Sequence, residues 1–307
     1  MPINTLATAT IFQKTLDQLA VQTAVTGWME ANAGQVIYNG GAEVKIPKLS
    51  LQGLGDYDRD GGYKQGSIKL EYETRKMTQD RGRKFHLDAM DVDETNFVAT
   101  AGTVMGEFQR VHVTPEIDAY RLSAIATEAI TDNKGIVKYG YTPAEATILR
   151  EIKTMIKQIR DAGYNGDLVI HATGDVCLEL ELAMAGKLTA MTFSQGGVDT
   201  TVPAVDKCPI IETPANRMYT AIQINDGEAE GQQEGGYAKG ATAKEINFMI
   251  LPKDAPIAIS KQDKMRIFDP NTNQRANAWQ MDYRRFHDCW VKDNAAKLIA
   301  VNIKDAQ

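Results

Sequence analysis

The chain has 307 residues, of which 43% are hydrophobic and 24% are charged, and its formal net charge at pH 7 is -6. This acidic balance disfavours tight, direct binding to nucleic-acid phosphates. No apolar run reaches the length that crosses a bilayer, the N-terminus lacks a signal-peptide pattern, and the three cysteines form no disulfide framework. We therefore expect a soluble protein made inside a cell, with one large domain or two ordinary ones.

The N-terminal segment predicts an extended arm followed by an amphipathic helix. Residues 1–10 are small and polar, and apolar residues recur near helical spacing from Ile11 to Glu30. The apolar side of this predicted helix holds Phe12, Leu16, Leu19 and Trp28. Glycines at positions 34, 40 and 41 end the helix and release the chain.

Residues 44 to 77 predict one long β-hairpin. An outgoing arm, 42–51, and a returning arm, 67–74, flank a tip rich in glycine and aspartate. Ile68, Leu70 and Tyr72 alternate with charged residues, so they share one face of the returning arm. On the outgoing arm the apolar phase shifts at Pro47, which predicts a bulge or bend there.

The predicted hairpin is long for its thickness. An extended arm of twelve residues spans about 40 Å, and a two-stranded ribbon alone is at best marginally stable in water. Its apolar face therefore needs a cover, which is either the hairpin's own domain or a neighbouring copy of the chain. The pattern of the hairpin alone favours a cover by its own domain, since surface hairpins are common, and keeps a neighbouring copy as the alternative.

A change of charge sign follows the hairpin. Basic residues come first, and acidic residues come directly after them at positions 88, 91, 93 and 94. The basic residues are Arg75, Lys76, Arg81, Arg83 and Lys84. This segregation predicts ion pairing between subunits or between domains, with a solvated surface as the alternative.

The next segments predict helices. Residues 96–131 form one kinked helix or two, with Thr114 as an N-cap and Pro115 in the first turn. A further helix begins at Thr142-Pro143 and stops at Gly163.

A compact α/β unit is predicted between residues 131 and 243. It contains a buried strand at 168–170, a helix that opens at Thr173 or Asp175 and runs to Met184, and strands near 218–224. Residues 226–242 predict a surface loop. The C-terminal part then predicts strands at 246–251, 257–260, 265–268, 279–291 and 297–303, with a bulge or break near Arg284 because Phe286 and Trp290 fall out of phase.

Two patterns raise the possibility of metal binding. Asp56, Asp58 and Asp60 match the first half of a calcium loop, but Ser67 occupies the position of the bidentate glutamate. His171 with Cys177, and His287 with Cys289, offer two ligands each and no usable third or fourth. We predict a solvated hairpin tip and buried side chains at these places.

Enzyme signatures are absent from the sequence. No nucleophile elbow, phosphate-binding loop or dinucleotide fingerprint occurs, and the Thr173-Gly174-Asp175 turn is better read as a helix cap than as an anion site. We predict no catalytic, cofactor or metal residues.

The order of parts and two local stretches resemble a known family. An arm, a long hairpin, a long helix, an α/β unit and returning strands follow one another. The local likenesses are Val113-Thr114-Pro115-Glu116-Ile117-Asp118-Ala119-Tyr120-Arg121 and Tyr283-Arg284-Arg285-Phe286. Together these resemble the major capsid proteins of tailed double-stranded DNA bacteriophages, which have the Hong Kong 97-type shell fold.

The resemblance implies an α+β fold with named parts. These are an N-terminal arm at 1–41, an extended E-loop hairpin at 42–84, a P-domain with a spine helix at 85–129, an A-domain at 130–249, and P-domain return strands at 250–307. It also implies contacts between subunits. The implied contact residues are Val44, Ile46, Leu51, Tyr57, Arg59, Tyr63, Ile68, Leu70 and Tyr72 in the E-loop, Phe12, Leu16, Leu19 and Trp28 in the arm, and the five basic residues above.

The implied partners are many copies of the same chain, arranged as pentamers and hexamers around packaged DNA. Portal and scaffolding proteins, and a decoration protein in some shells, would complete a virion assembled in the host bacterial cytoplasm. The alternatives are an encapsulin-like nanocompartment shell, an α/β enzyme without a recognisable motif, and a monomeric binding module. A monomeric binding module would leave the apolar face of the hairpin exposed to solvent.

Overall fold

A computed structural model of the chain describes residues 24–35, 37–38, 43–88, 101–184, 189–195, 198–273 and 277–307. Its strands are β1 (Ile37–Tyr38), β2 (Glu43–Leu51), β3 (Ile68–Lys76), β4 (Gln79–Asp88), β5 (Ile136–Lys138), β6 (Leu168–Ala172), β7 (Thr189–Gln195), β8 (Val198–Val205), β9 (Cys208–Glu212), β10 (Ile222–Ile224), β11 (Tyr237–Lys239), β12 (Ile246–Pro252), β13 (Pro256–Phe268), β14 (Ala278–Val291) and β15 (Ala300–Ile303). Its α-helices are α1 (Ala101–Phe108), α2 (Thr114–Ile130), α3 (Glu145–Asp161), α4 (Gly174–Met184) and α5 (Asp293–Ala296).

A seven-stranded mixed sheet forms the centre of the molecule, in the order β5-β15-β12-β6-β9-β8-β7. Alternate residues of its strands enter two different cores, as the two-residue period of a strand requires. Val169, Met249 and Val301 face α2, whose Leu122 and Ile125 pack on them. The opposite face packs against α3 and α4 through residues such as Ile170 and Phe248.

The predicted long helix is continuous and contains a π-helical turn. The turn, Gln109–Val113, joins α1 directly to α2. Thr114 has helical dihedrals and makes no side-chain cap, so the prediction that it is an N-cap is wrong. Pro115 lies directly after this turn, and because it has no backbone N–H it cannot donate the helical hydrogen bond at that position.

A second sheet of long strands connects the helix to the hairpin. Its order is β13-β14-β4, and β14 pairs with β4 in unbroken register from Ala278 opposite Asp88 to His287 opposite Gln79. The bulge predicted near Arg284 lies instead in the partner strand, between Ser260 and Gln262. Strand β14 itself continues without a break.

Other boundaries also differ from the sequence-based predictions. Residues 24–26 are not helical, and Gly27–Gln35 is a 3-10 helix, so the end of the predicted helix to Glu30 is wrong, while residues 11–23 lie outside the described residues. The cap of α3 is Ala144 rather than Thr142. Gly163, with a φ of 93°, ends α3 as predicted.

The C-terminal segment divides between the two large sheets. β13 pairs with β14, and β14 pairs with β4, whereas β12 and β15 pair inside the seven-stranded sheet. The final strand therefore belongs to the sheet of the α/β unit, not to the return strands with which the sequence grouped it. Within the described part of the chain, no helix has the length and apolar character needed to cross a bilayer.

Candidate assembly surface

The hairpin of β2 and β3 presents an exposed apolar face. Its antiparallel register is continuous from Glu43 opposite Lys76 to Leu51 opposite Ile68, so the bulge predicted at Pro47 is wrong. The register places three apolar pairs on one face: Pro47 with Tyr72, Leu49 with Leu70, and Leu51 with Ile68. Apart from Pro47, which is also exposed, these side chains are between 52% and 76% exposed.

This exposure is concentrated in the hairpin. Eight of the twelve exposed large apolar side chains in the described part of the chain lie between residues 49 and 72. A contiguous exposed apolar patch on a protein is a sign of an interaction site. The hairpin face is therefore the candidate assembly surface.

The opposite face of the hairpin is covered by its own chain at the base. Val44 and Ile46 are buried against Ile257 and Ile259 of β13 and against Met77. The prediction that Val44 and Ile46 contact a neighbouring subunit is corrected here, because burial inside their own subunit leaves them no surface to offer. For the exposed pairs on the other face, contact with a neighbouring subunit remains a prediction.

Ion pairs hold the middle of the hairpin against the molecule. Lys48 Nζ lies 3.1 Å from the Asp293 carboxylate, and Arg75 lies 3.7 Å from the same group. Arg75 also pairs with Glu73 on its own strand. These contacts tie both strands of the hairpin to α5.

The hairpin tip is polar and exposed. Tyr57 and Tyr63 meet edge to face, with ring centroids 5.0 Å apart, and Arg59 is exposed between them. The Asp60 backbone N–H donates to Asp58 Oδ1 at 3.0 Å, which closes a local turn. Among the described residues, no group of three or more histidine, cysteine or acidic side chains is arranged to hold a metal ion.

A buried aspartate ties the hairpin to the long helix. Asp288 of β14 accepts hydrogen bonds from the backbone N–H and hydroxyl of Thr78, at 2.8 and 3.0 Å, just where β3 passes into β4. Its other oxygen accepts from the Tyr120 hydroxyl of α2 at 2.7 Å. Burial, then the charge and hydrogen bond of Asp288, raise the pKa of Tyr120 well above its ordinary value.

Four of the five predicted basic contact residues, Arg75, Lys76, Arg81 and Arg83, have partners within their own chain. Arg81 forms a two-pronged pair with Glu116 of α2 and donates to the Asn225 carbonyl. Arg83 donates to the Gln233 carbonyl at 3.2 Å, and Lys76 lies 3.7 Å from Glu43. Of this set, Arg81 and Arg83 join β4 to the helix and the 226–242 loop, and Lys84 is exposed.

Trp28 is buried in its own subunit rather than offered to a neighbour. Its indole N–H donates to His171 Nε2 at 3.2 Å, and the His171 Nδ1 lies 3.1 Å from the Thr213 hydroxyl. Burial lowers the pKa of His171 to about 3. The prediction of an intersubunit role for Trp28 is therefore corrected, while Phe12, Leu16 and Leu19 lie outside the described residues.

The N-terminal segment is anchored to the long helix by a second buried aspartate. Asp118 accepts from the backbone N–H groups of Val25 and Thr26, both at 3.1 Å, and from Arg217 at 2.8 Å. One turn later, buried Arg121 donates to the Thr26 carbonyl and pairs with Glu30. Sequence reasoning missed both anchors.

Of the remaining histidine and cysteine candidates, His287 and Cys289 are buried and Cys177 is half-buried. His287 and Cys289 lie on one face of β14, and burial lowers the pKa of His287 and raises that of Cys289 to about 12. Cys177 lies on α4, and burial likewise raises its pKa to about 12. Each group is thus uncharged at neutral pH.

Comparison with known proteins identifies the fold. No protein-family model matches the sequence, and no curated protein matches it. A structure from Mycobacterium phage Che8 matches with a TM-score of 0.58 over 87% of this chain and 86% of that chain, at 13% identity. The capsid structure of cyanophage P-SCSP1u matches with a TM-score of 0.58 over 86% and 83%, at 12% identity. The virus-like particle from Pyrococcus furiosus matches with a TM-score of 0.50 over 94% and 98%, at 8% identity.

These likenesses confirm the predicted fold class. The chain is an α+β protein whose fold is similar to that of phage capsid structures, and the match extends over most of its length. Identities of 8% to 13% establish the fold alone.

Proposed function

We propose that this chain is the major capsid protein of a tailed double-stranded DNA bacteriophage. Many copies assemble into an icosahedral shell, and the hairpin of each copy lies over a neighbour. The observation that carries this proposal is the set of three exposed apolar pairs along the hairpin, Pro47 with Tyr72, Leu49 with Leu70 and Leu51 with Ile68. The fold shared with phage capsids supports it.

The physical argument is that the hairpin face needs a cover. A two-stranded ribbon is at best marginally stable in water, and each buried leucine side chain contributes about 1.5 to 3 kcal/mol. The body of the same chain covers the opposite face at Val44 and Ile46. A second copy is the partner that explains why the remaining face keeps its apolar pairs.

The net charge of the chain agrees with a shell that encloses DNA without binding it tightly. A net charge of -6 gives no electrostatic attraction for phosphates. The DNA is therefore enclosed rather than bound through its sequence. The further partners of this proposal are a portal, a scaffolding protein and, in some shells, a decoration protein, and the assembled chain resides in the virion after assembly in the host bacterial cytoplasm.

The predicted division into parts belongs to the same proposal. Residues 1–41 act as the arm, 42–84 as the E-loop, and 130–249 as the A-domain around the axis of pentamers and hexamers. The P-domain takes 85–129 and most of 250–307. The pairing of β15 with β12 moves the last strand to the A-domain side.

A nanocompartment shell is the second candidate. The specific observation in its favour is the likeness to the virus-like particle from Pyrococcus furiosus, which covers nearly all of both chains. The contents of purified particles separate the two candidates, since a phage head holds DNA and a nanocompartment holds protein cargo. An enzyme is disfavoured, because His171, His287 and Cys289 are buried inside the chain and are not accessible to a substrate as a base or a nucleophile.

The test is size-exclusion chromatography and negative-stain electron microscopy of the purified full chain. Closed shells, tubes, or rings of five or six copies are the expected result. A chain that remains monomeric at every concentration up to about 1 mM, where even weak contacts form, would contradict the proposal.

A further inference from the structure

Helix α4 carries an exposed ridge of leucines and acids on the outer side of the α/β unit. Leu178 and Leu182, one helical turn apart, are 57% and 53% exposed. Asp175 and Glu181 are exposed on the same side of the helix. These four residues, which we call the ridge, combine apolar surface with two negative charges.

Beside this ridge, α3 carries a groove of the opposite character. The groove is floored by Ala146, Leu149 and Ala183, the last contributed by α4. Its lining also includes Arg150, Lys153, Lys157 and, at one end, Glu145. Small apolar side chains below a row of cations thus form the groove.

The cations of the groove form only weak ion pairs within their own chain. Lys153 lies 3.3 Å from Asp206, and Lys157 lies 2.7 Å from Asp161, but all four side chains are at least half exposed. Exposed pairs of this kind contribute about 0 to 1 kcal/mol. A neighbouring carboxylate can therefore replace them at little cost.

The two patches match in spacing as well as in charge. Asp175, Leu178 and Leu182 follow the spacing i, i+3, i+7 on α4. The cations Arg150, Lys153 and Lys157 follow the same spacing on α3. Each row spans seven residues, or about 10.5 Å of helix.

We propose that the ridge of one copy seats in the groove of a neighbouring copy. Leu178 and Leu182 pack on the alanine floor, and Asp175 and Glu181 face the cations. The contact rests on the proposed shell function and deepens it by naming a second surface between subunits. Because the ridge and the groove lie side by side on one chain, two copies can pair reciprocally about a two-fold axis, or successive copies can join head to tail and close into a ring.

A second copy fits better than a nucleic acid. The cations of the groove could attract phosphates, but the acidic ridge lies directly beside them and the whole chain is negative. A copy of the same chain supplies both leucines and carboxylates on one helix. Charge complementarity therefore selects the chain itself.

The test uses two charge-reversed full-length chains. One carries Arg150→Glu and Lys157→Glu in the groove, and the other carries Asp175→Lys and Glu181→Lys on the ridge. Both also carry Leu49→Ser and Leu70→Ser, so that the hairpin does not drive association. Far-ultraviolet circular dichroism and thermal unfolding establish that each chain is folded.

Sedimentation velocity at low salt then compares each chain alone with a 1:1 mixture. Alone, each chain has like charges on its ridge and groove and should stay monomeric. In the mixture, acidic grooves meet basic ridges and basic grooves meet acidic ridges. We expect the mixture to associate at least about tenfold more tightly than either chain alone, and to dissociate at high salt.

A mixture that sediments as the sum of its two components would overturn the proposal. So would a loss of thermal stability in Leu178→Ser/Leu182→Ser, since it would mean that the same chain covers the ridge; Val111→Ser, at another exposed apolar site, is the matched control. Shell formation is tested separately on the unmodified chain. If the mixture does not associate but the unmodified chain forms shells, only the ridge–groove contact is refuted. If the mixture associates but the unmodified chain forms no shells, only the shell function is refuted.

Discussion

Leu49 of β2 stands directly opposite Leu70 of β3, and both side chains are more than half exposed. Three residues toward the base of the hairpin, Ile46 is almost completely buried on the other face, against the long-strand sheet. The hairpin therefore has one face covered by its own subunit and one face left open. This difference allows stability and assembly to be tested separately.

Replacing Leu49 and Leu70 by serine should abolish assembly and leave folding intact. Both side chains are exposed in the single subunit, so the free energy of unfolding should change by no more than about 0.5 kcal/mol. Urea denaturation measures the free energy of unfolding, and negative-stain microscopy measures assembly. Particles from Leu49→Ser/Leu70→Ser at wild-type yield would show that the hairpin face is not an assembly surface.

Replacing Ile46 by alanine should act on the fold instead. The side chain is 2% exposed and packs against Ile257 and Ile259, so its loss removes apolar contact and leaves a cavity. We expect a loss of about 2 kcal/mol or more in the free energy of unfolding. The exposed Leu49→Ala is the matched control in the same strand, and an equal loss in both variants would contradict the assignment of the two faces.

Replacing Asp118 by asparagine should loosen the N-terminal segment. The carboxylate accepts from two backbone N–H groups, the Thr26 hydroxyl and Arg217, and its loss leaves Arg217 without its buried partner. Removing one partner of such a pair costs about 3 to 5 kcal/mol.

Urea denaturation measures this loss, and limited proteolysis should then cut near Val25 faster than in the wild type. The control is Glu107→Gln, which removes the partner of Arg110 from a pair whose side chains are both 60% exposed. An Asp118→Asn chain as stable as this control would refute the anchoring role.

Stability should fall as the pH drops below about 6.5. Burial lowers the pKa of His171 from 6.5 to about 3, so the folded chain keeps this imidazole neutral while the unfolded chain protonates it. Between these two values the unfolded state binds more protons, and the free energy of unfolding decreases by up to about 1.4 kcal/mol per pH unit for this group.

Urea denaturation of the wild type and His171→Gln at pH 7.5, 5.5 and 4.5 measures the effect. The variant cannot take up this proton, so its stability should depend less steeply on pH. Parallel pH profiles for the two chains would contradict a neutral, buried His171.

The sequence predicted the open face of the hairpin because charged and apolar residues alternate strictly from Ile68 to Glu73. It could not predict which part of the hairpin the subunit covers itself. Val44 and Ile46 find their partners at Ile257 and Ile259, more than 200 residues later in the chain. The same long separation in sequence explains why Phe286 and Trp290 suggested a broken strand. These two residues lie out of phase with the earlier apolar residues of β14 because both faces of the strand are covered near its end.

Strand β4 was missed because its sequence is mostly charged. It is an edge strand, and only Phe85 and Leu87 among its residues join the apolar cluster around Met281 and Tyr283. The two buried aspartates, Asp118 and Asp288, were missed for a related reason. Their partners lie on distant elements, and a carboxylate satisfied by backbone N–H groups has no sequence pattern of its own.

The most direct test of the account is a photo-crosslink from the open face of the hairpin. Leu70→p-benzoylphenylalanine is introduced into the full chain, particles are isolated and irradiated, and the products are separated on a denaturing gel and mapped by mass spectrometry. The same probe at Val111 serves as the control. A crosslink from position 70 to a second copy, running as a dimer, is the predicted result. Particles in which position 70 links only to its own chain, or to nothing, would contradict the claim that a neighbouring copy covers this face.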